Sequence, residues 1–366
     1  MNTESKTRII NDVKSEALKT NPIFNQYFKL KIKLLFLLFK KGKITFKKIF
    51  NAIFCLASYY MSLKKTGTYP FIINFELWNE CNESCVFCRD ENGVIDNINQ
   101  NEKDHIIKKD KMDIKIYEKV IDECKDYLMM SVPYINGEPL LSKDIYHAIE
   151  YANKNKIGTL ISSNGIILNK RNSERLLKTG LDFLKVHISG MTNEVHNIEH
   201  RKGNVETILK NLEYLSEFKK NNNYETLIML DYISYKHNQH EIEQAKEFAK
   251  KNNLIFNLRA GHGRGLEHLG ESSYDENELP LKNKCVWLWT TLATDYDGSV
   301  YPCCAHTSFS NAKGYGILNA DNNSKQIKKF WNSEYSKEMK KIHVEEGRAP
   351  IDICSRCPRK SISFEF

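Results

Sequence analysis

From Pro70 onward the chain alternates short apolar runs with segments whose apolar residues recur at helical spacing. Strands are predicted at Phe71–Trp78 (FIINFELW), Leu128–Ile135, Gly158–Ser162, Phe183–Ile188, Thr226–Ile233 and Leu254–Leu258. Helices are predicted between them at Asp113–Tyr127, Asp144–Asn155, Ser173–Thr179, Asn204–Lys220 and Gln239–Lys251. Strict strand–helix alternation argues for a parallel sheet built from βαβ units. The handedness of such units leaves an open doubly wound sheet or an incomplete barrel, and both place ligands at the C-terminal ends of the strands.

Three segments depart from this pattern. Residues 1–68 form an arm with two helical stretches, Phe24–Lys41 and Phe46–Lys65, the second containing IFNAIFCLASYYM at Ile49–Met61. That run is too short to span a bilayer, which takes about 20 residues, so a buried or interfacial helix is expected. Residues 89–112 are a polar insertion, read as a loop. Residues 261–284 are Gly-rich and charged and read as a linker, dividing a main domain at 69–260 from a C-terminal unit at 285–366. No internal repeat is evident.

Charge sharpens the division. Of a net charge of +8, the stretch 17–75 carries eleven Lys and no Asp or Glu, and residues 1–16 balance, so 76–366 carry 8 − 11 = −3. A mildly acidic main body argues against nucleic acid as a partner. The basic arm fits either docking on an anionic membrane surface or capping of the main domain with its lysines in water. Ten cysteines in 366 residues are too few for a disulfide scaffold, and no secretory leader is apparent at the start. A cytoplasmic, reducing compartment is expected, in which clustered cysteines serve metals or catalysis.

The first cluster, Cys81-Asn-Glu-Ser-Cys85-Val-Phe-Cys88, directly follows the first strand. Three soft sulfur donors on one loop suit an Fe–S cluster or zinc. Closed structural sites take four ligands, so three on a cubane leave one iron open, whereas structural zinc would need a distant fourth ligand. This CxxxCxφC spacing, with Phe87 before the last cysteine, resembles the radical S-adenosylmethionine (SAM) superfamily, and the resemblance covers roughly 68–258. It implies an α/β fold with a partial (β/α)6 TIM-like barrel. It also implies a [4Fe–4S] cluster that binds SAM and cleaves it reductively to a 5′-deoxyadenosyl radical, which then abstracts hydrogen from carbon.

Further motifs follow successive strands. Asn136-Gly137-Glu138-Pro139 resembles the family's GGEP motif for the SAM amine, with Asn where Gly is usual. Because Asn tolerates positive φ, the backbone is expected to survive that change. Ser163-Asn164-Gly165 resembles the TNG loop. Ser189 and Arg201, with His196 and Arg201-Lys202-Gly203, resemble the residues that hold the SAM ribose and carboxylate in the sulfatase-maturating branch.

Cys285, Cys303, Cys304, Cys354 and Cys357 lie in the last stretch. Cys285-x12-Gly298-x4-Cys303 matches the opening of the SPASM pattern, with a hairpin turn expected at Tyr296-Asp297-Gly298, and Cys354-Ser-Arg-Cys357 adds a CxxC knuckle. The count resembles the shortened twitch domain, similar to that of the 2-deoxy-scyllo-inosamine dehydrogenases, a small α+β unit. It implies one auxiliary [4Fe–4S] cluster on Cys285, Cys303, Cys354 and Cys357. Cys303 and Cys304 exchange roles if the hairpin register shifts by one. Such a closed cluster either carries electrons or staples a small domain. Cys55 and Cys124 read as ordinary buried thiols.

Arg259, His262 and Arg264, with His187 and Tyr232, are expected near the barrel mouth, either binding an anionic group or as a solvated basic loop. The combined expectation is a radical SAM oxidoreductase acting on a small polyol, sugar-like or lipid-linked molecule, served by a flavodoxin- or ferredoxin-type electron donor. A peptide-modifying maturase and a non-catalytic zinc or iron–sulfur protein are the alternatives.

Overall fold

The computed structural model describes residues 22–89, 110–261, 281–308, 312–355 and 357. Among them, nine strands form one open sheet in the order β6-β5-β4-β3-β2-β1-β7-β8-β9. Strands β1 (Ile72–Phe75), β2 (Met130–Val132), β3 (Gly158–Ser163), β4 (Phe183–Ile188), β5 (Leu227–Ser234) and β6 (Ile255–Ala260) pair in parallel, as the alternating pattern predicted. They form the partial barrel. Beyond them the sheet continues: β7 (Thr291–Thr294) pairs in parallel with β1, and β8 (Ser299–Tyr301) and β9 (Gly316–Ile317) add antiparallel. The C-terminal segment is therefore stitched to the barrel edge by main-chain hydrogen bonds. The expected hairpin turn falls at Asp295–Gly298, where Gly298 takes φ +86°.

The intervening helices include α3 (Ile114–Cys124), α4 (Ile145–Lys154), α5 (Lys170–Lys178), α7 (Val205–Asn221) and α8 (Ile242–Lys251). A helix that the periodicity did not predict, α6 (Asn193–Glu199), is too short for a period to show. Its Thr192 cap accepts from Val195 N–H. In the arm, α1 spans Pro22–Lys40 and α2 spans Phe46–Tyr60. The second ends earlier than expected because Ser62 turns to φ +57°.

Strand alternation divides the residues between two layers. Ile73, Phe75, Ile161, Leu184, Val186, Ile188 and Leu230 pack into the main core with the helices. Their neighbours Ile72, Met130, Leu160, Phe183 and Met229 face the other way and meet Leu30, Leu34 and Leu38 of α1. The arm thus closes the end of the barrel where the strands begin. It is pinned there by Asp182, fully buried, which accepts from Lys43 Nζ at 2.6 Å, Lys41 Nζ at 2.8 Å and Thr159 N–H at 2.8 Å. Lys43 is itself buried, and desolvation pulls its ammonium pKa below the ordinary lysine value.

Replacing Asp182 with Ala would leave that buried ammonium without its counter-charge. A loss of about 3–5 kcal/mol of stability is expected, measured by urea unfolding. A loss below ~1 kcal/mol would show that the pair behaves as a surface bridge.

Candidate functional site

The C-terminal ends of β1 to β4 converge on the first cysteine loop. Cys85 is buried and Cys81 and Cys88 are half-buried, all as free thiols. Burial pushes the Cys81 thiol up to about 12. Cys85 is raised well above the ordinary value, first by burial, then by the nearby charges of Glu83, Cys88 and Cys81. Cys85 is therefore close enough to both Cys81 and Cys88 for the thiolates to repel, at a place largely shielded from water. A bound cationic centre relieves that repulsion, and the soft donor set fits iron–sulfur.

The flanking loops hold this arrangement. Glu138, buried after β2, accepts from Leu140 N–H at 3.0 Å, Ser163 Oγ–H at 2.9 Å and Asn164 N–H at 2.8 Å, so it fixes the loop after β3. Burial raises its carboxyl to about 7 despite these donors. Asn164 reaches the cysteine loop, with Nδ2 donating to Asn82 Oδ1 at 2.7 Å and lying 3.8 Å from Cys81 Sγ. Gly137 packs directly against the strand-end backbone. A Cβ there would lie 1.7 Å from Trp78 O, so only glycine fits. Asn136 does not adopt positive φ, so its tolerance of that region is not needed. Its Nδ2 donates to Thr307 Oγ1 at 3.2 Å in the C-terminal segment. Pro139 opens the one-turn helix Pro139–Leu141 and is buried.

Behind the loop lies a buried polar network. Ser189 Oγ is 3.0 Å from His200 Nε2, and His200 Nδ1 is 3.3 Å from both Cys85 Sγ and Glu83 Oε2. His196 stacks on His200 with centroids 4.4 Å apart, and Phe87 meets His200 edge-on at 5.3 Å. Burial alone would raise Glu83, but the two imidazoles beside it, His200 at 3.3 Å and His196 at 3.9 Å, outweigh it and hold the carboxyl at about 2. Arg201 donates from Nε to Ser84 O at 2.8 Å and from its terminal nitrogen to Arg89 O at 2.7 Å, tying two points of the loop together. Glu83, His200 and Glu76, whose carboxylate accepts from Gly137 N–H at 3.3 Å, escaped the sequence reading. The available signals were an acid inside the cysteine loop, a His at i+4 from His196 and a Glu just past β1.

The second cluster also assembles. Burial raises Cys285 to about 12, where it also feels Arg348, Cys303 and Cys357, and it raises Cys354, which feels Cys303, Cys285 and Cys357. Cys303 thus shares one pocket with Cys285, Cys354 and Cys357, and its sulfur lies 3.3 Å from His306 Nδ1. Four neighbouring thiols, Cys354 buried and Cys285, Cys303 and Cys357 half-buried, again match a soft metal centre.

Deeper along the barrel's inner face, polar residues replace apolar ones. Asp231 on β5 accepts from His187 Nδ1–H at 2.8 Å and Arg259 Nε–H at 2.8 Å, with Lys185 Nζ at 3.8 Å. With Nδ1 donating to Asp231, His187 Nε2 is left to accept from the Ser162 hydroxyl. Tyr232 does not join them. One residue further along β5, it faces the helices, where its hydroxyl donates to Asn238 O at 2.7 Å. His262 and Arg264 lie outside the described residues.

Burial, followed by the charges of Lys185 and Arg259, lowers His187 to about 4, in spite of the Asp231 hydrogen bond. Its unfolded value is about 6.5. Between these values the unfolded chain takes up a proton that the folded chain refuses. Stability therefore falls as pH drops from 6.5 toward 4, by up to ~1.4 kcal/mol per unit. The gap in thermal midpoint between the wild type and His187→Gln is expected to narrow across that window. A gap that is flat with pH would contradict the assignment.

The Radical SAM superfamily model matches residues 75–249, and the model of the iron–sulfur cluster-binding domain SPASM matches 285–358. The mycofactocin maturase MftC of Mycolicibacterium smegmatis is 25% identical over 154 residues, 40% of this chain and 34% of that protein. The AdoMet-dependent heme synthase of Methanosarcina barkeri is 24% identical over 237 residues, 59% of this chain and 62% of that one. The chain thus spans about a third of the length of the maturases it matches. Streptococcus suis SuiB bound to precursor peptide SuiA is 13% identical, with a TM-score of 0.55, covering 83% of this chain and 74% of that chain. The chain is a radical SAM superfamily protein with a C-terminal iron–sulfur cluster-binding domain of the SPASM/twitch type, and its cofactors are SAM and [4Fe–4S] clusters.

Proposed function

We propose that this radical SAM enzyme removes hydrogen from a small polyol, sugar-like or lipid-linked substrate and completes the change as an oxidation through its auxiliary cluster. Cys81, Cys85 and Cys88 would hold the SAM-binding cluster, and Cys285, Cys303, Cys354 and Cys357 the auxiliary one. Bound there, the two clusters and SAM supply a carbon radical for hydrogen abstraction and an electron acceptor. The chain's own residues bind and orient. The main chain at Asn136, Gly137 and Pro139 with Glu138 would take the methionyl amine of SAM. Ser163, Asn164 and Phe87 would shape its nucleoside pocket, and Ser189 and Arg201 its ribose and carboxylate ends.

The observation that carries the substrate class is the Lys185–His187–Asp231–Arg259 cluster at the inner-face end of β4 to β6. Two cations, Lys185 and Arg259, and a neutral imidazole around one buried carboxylate suit hydroxyl and anionic groups of a small molecule. A peptide-modifying maturase is the second reading, favoured by the MftC match and by the fold likeness to SuiB with its precursor peptide. The proposed partners are a flavodoxin- or ferredoxin-type electron donor and an anionic membrane surface met by the N-terminal arm, in a cytoplasmic, reducing compartment.

Anaerobic reconstitution tests the ligand sets. About eight irons per chain are expected, as for two four-iron clusters, together with 5′-deoxyadenosine from SAM. Cys81→Ala is expected to abolish deoxyadenosine formation. Cys354→Ala is expected to keep uncoupled SAM cleavage while losing about four irons and product oxidation. Stoichiometric zinc with no SAM cleavage would point to a structural metal protein instead.

A further inference from the structure

The arm has two apolar faces, and the barrel uses only one. On α1, Leu30, Leu34 and Leu38 are buried against the strand starts. On the same helix Ile32, Leu35, Phe36 and Phe39, spaced i, i+3, i+4 and i+7, are exposed, Phe36 and Phe39 at 68% each. On α2, Cys55 is buried, while Phe46 (82% exposed), Ile49, Phe50, Ile53 and Phe54 (59%) form a second outward stripe. Tyr60, Met61 and Leu63 continue it. Two such stripes of aromatic and aliphatic side chains in water, one on each arm helix, mark a contact surface.

We infer that this outward face lies in the headgroup region of an anionic bilayer and seats the barrel with its strand starts toward the membrane and its SAM-site mouth toward water. The inference rests on the membrane partner proposed above and adds which face meets it and how the barrel then points. Charge selects the occupant. Exposed Lys29, Lys33 and Lys65 flank the stripes, beside Lys40, Lys47 and Lys64, which pair with Glu225, Asp126 and Glu345 from outside the arm, and residues 17–75 contain no acid at all. Apolar side chains amid lysines are what an interfacial helix presents to anionic lipid. A second copy would bring the same positive charge against itself. No helix among the described residues is long and apolar enough to cross a membrane, so the helices would lie in its plane.

The orientation follows from the parallel strands. The buried face of α1 touches residues where strands begin: Leu38 stands 2.9 Å from the Cβ position of Gly158, and Phe71, Phe183, Leu227 and Ile255 share its cluster. The cysteine loop, Glu138, Asn164 and Ser189 all follow strand ends. The docking face and the mouth are thus separated by a strand length, about 20 Å for six residues. A lipid-anchored substrate would have to reach across that distance, so this seating favours delivery from the aqueous side.

The reconstituted full chain is tested by flotation with phosphatidylcholine vesicles containing about one-third phosphatidylglycerol, and with phosphatidylcholine alone. Binding to the anionic vesicles is expected, reduced at least tenfold by Phe36→Ser/Phe39→Ser/Phe50→Ser/Phe54→Ser and also by Lys29→Glu/Lys33→Glu. Uncoupled 5′-deoxyadenosine formation should be the same for these variants as for the wild type, and the same with or without vesicles. If the serine variant still floats, the face is wrong although a membrane partner stands. If the wild type does not float, both fail, and a concentration-dependent dimer abolished by the serine substitutions would assign the face to self-association. Suppression of deoxyadenosine formation by vesicles would overturn the orientation. A chain that floats but never cleaves SAM would leave the docking face intact and refute the proposed chemistry.

Discussion

Clustered sulfur that must ionise while partly or wholly buried is the constraint around which this molecule is organised. A thiolate drawn away from water is costly, and several together repel, so a cationic centre bound by each group would offset both effects. Around the first group the chain adds little positive charge. It supplies instead a scaffold of hydrogen bonds, with Glu138 gripping the Ser163–Asn164 loop and Arg201 tying Ser84 to Arg89. These bonds set where the sulfurs stand before any metal arrives, which is the preorganisation a catalytic centre requires.

The same scaffold links the two cysteine groups. Strand β7 hydrogen-bonds to β1, the strand that leads into the first cysteine loop, and Asn136 reaches Thr307, three residues after Cys304. The C-terminal segment is thereby held in register with the catalytic end of the barrel. For a role in electron transfer, that fixed spacing matters more than the segment's own small core.

Much of this was legible in the sequence because strand–helix alternation and cysteine spacing are local signals. The six parallel strands, the hairpin at Gly298 and the placement of one motif after each of the first four strands all follow from short stretches read in order. What stayed hidden is long-range. Nothing local in Thr291–Thr294 says that it pairs with Ile72–Phe75, far earlier in the chain. Glu83 and His200 look like ordinary polar residues until the fold stacks His200 on His196 behind the cysteine loop. Tyr232 lies off the mouth because the two-residue strand period turns it toward the helices while Asp231 takes the inner face. The outward apolar stripe of the arm was written in its periodicity, but only packing could show which of two apolar faces the barrel consumes.

The central claim is that the first cluster has an iron corner that no side chain fills and that SAM can occupy. Electron paramagnetic resonance of the reduced, reconstituted Cys354→Ala chain, which would retain only that cluster, tests it most directly. The account predicts that adding SAM changes the signal of that single cluster. A spectrum unaltered by SAM would mean that the corner is closed, and would contradict it.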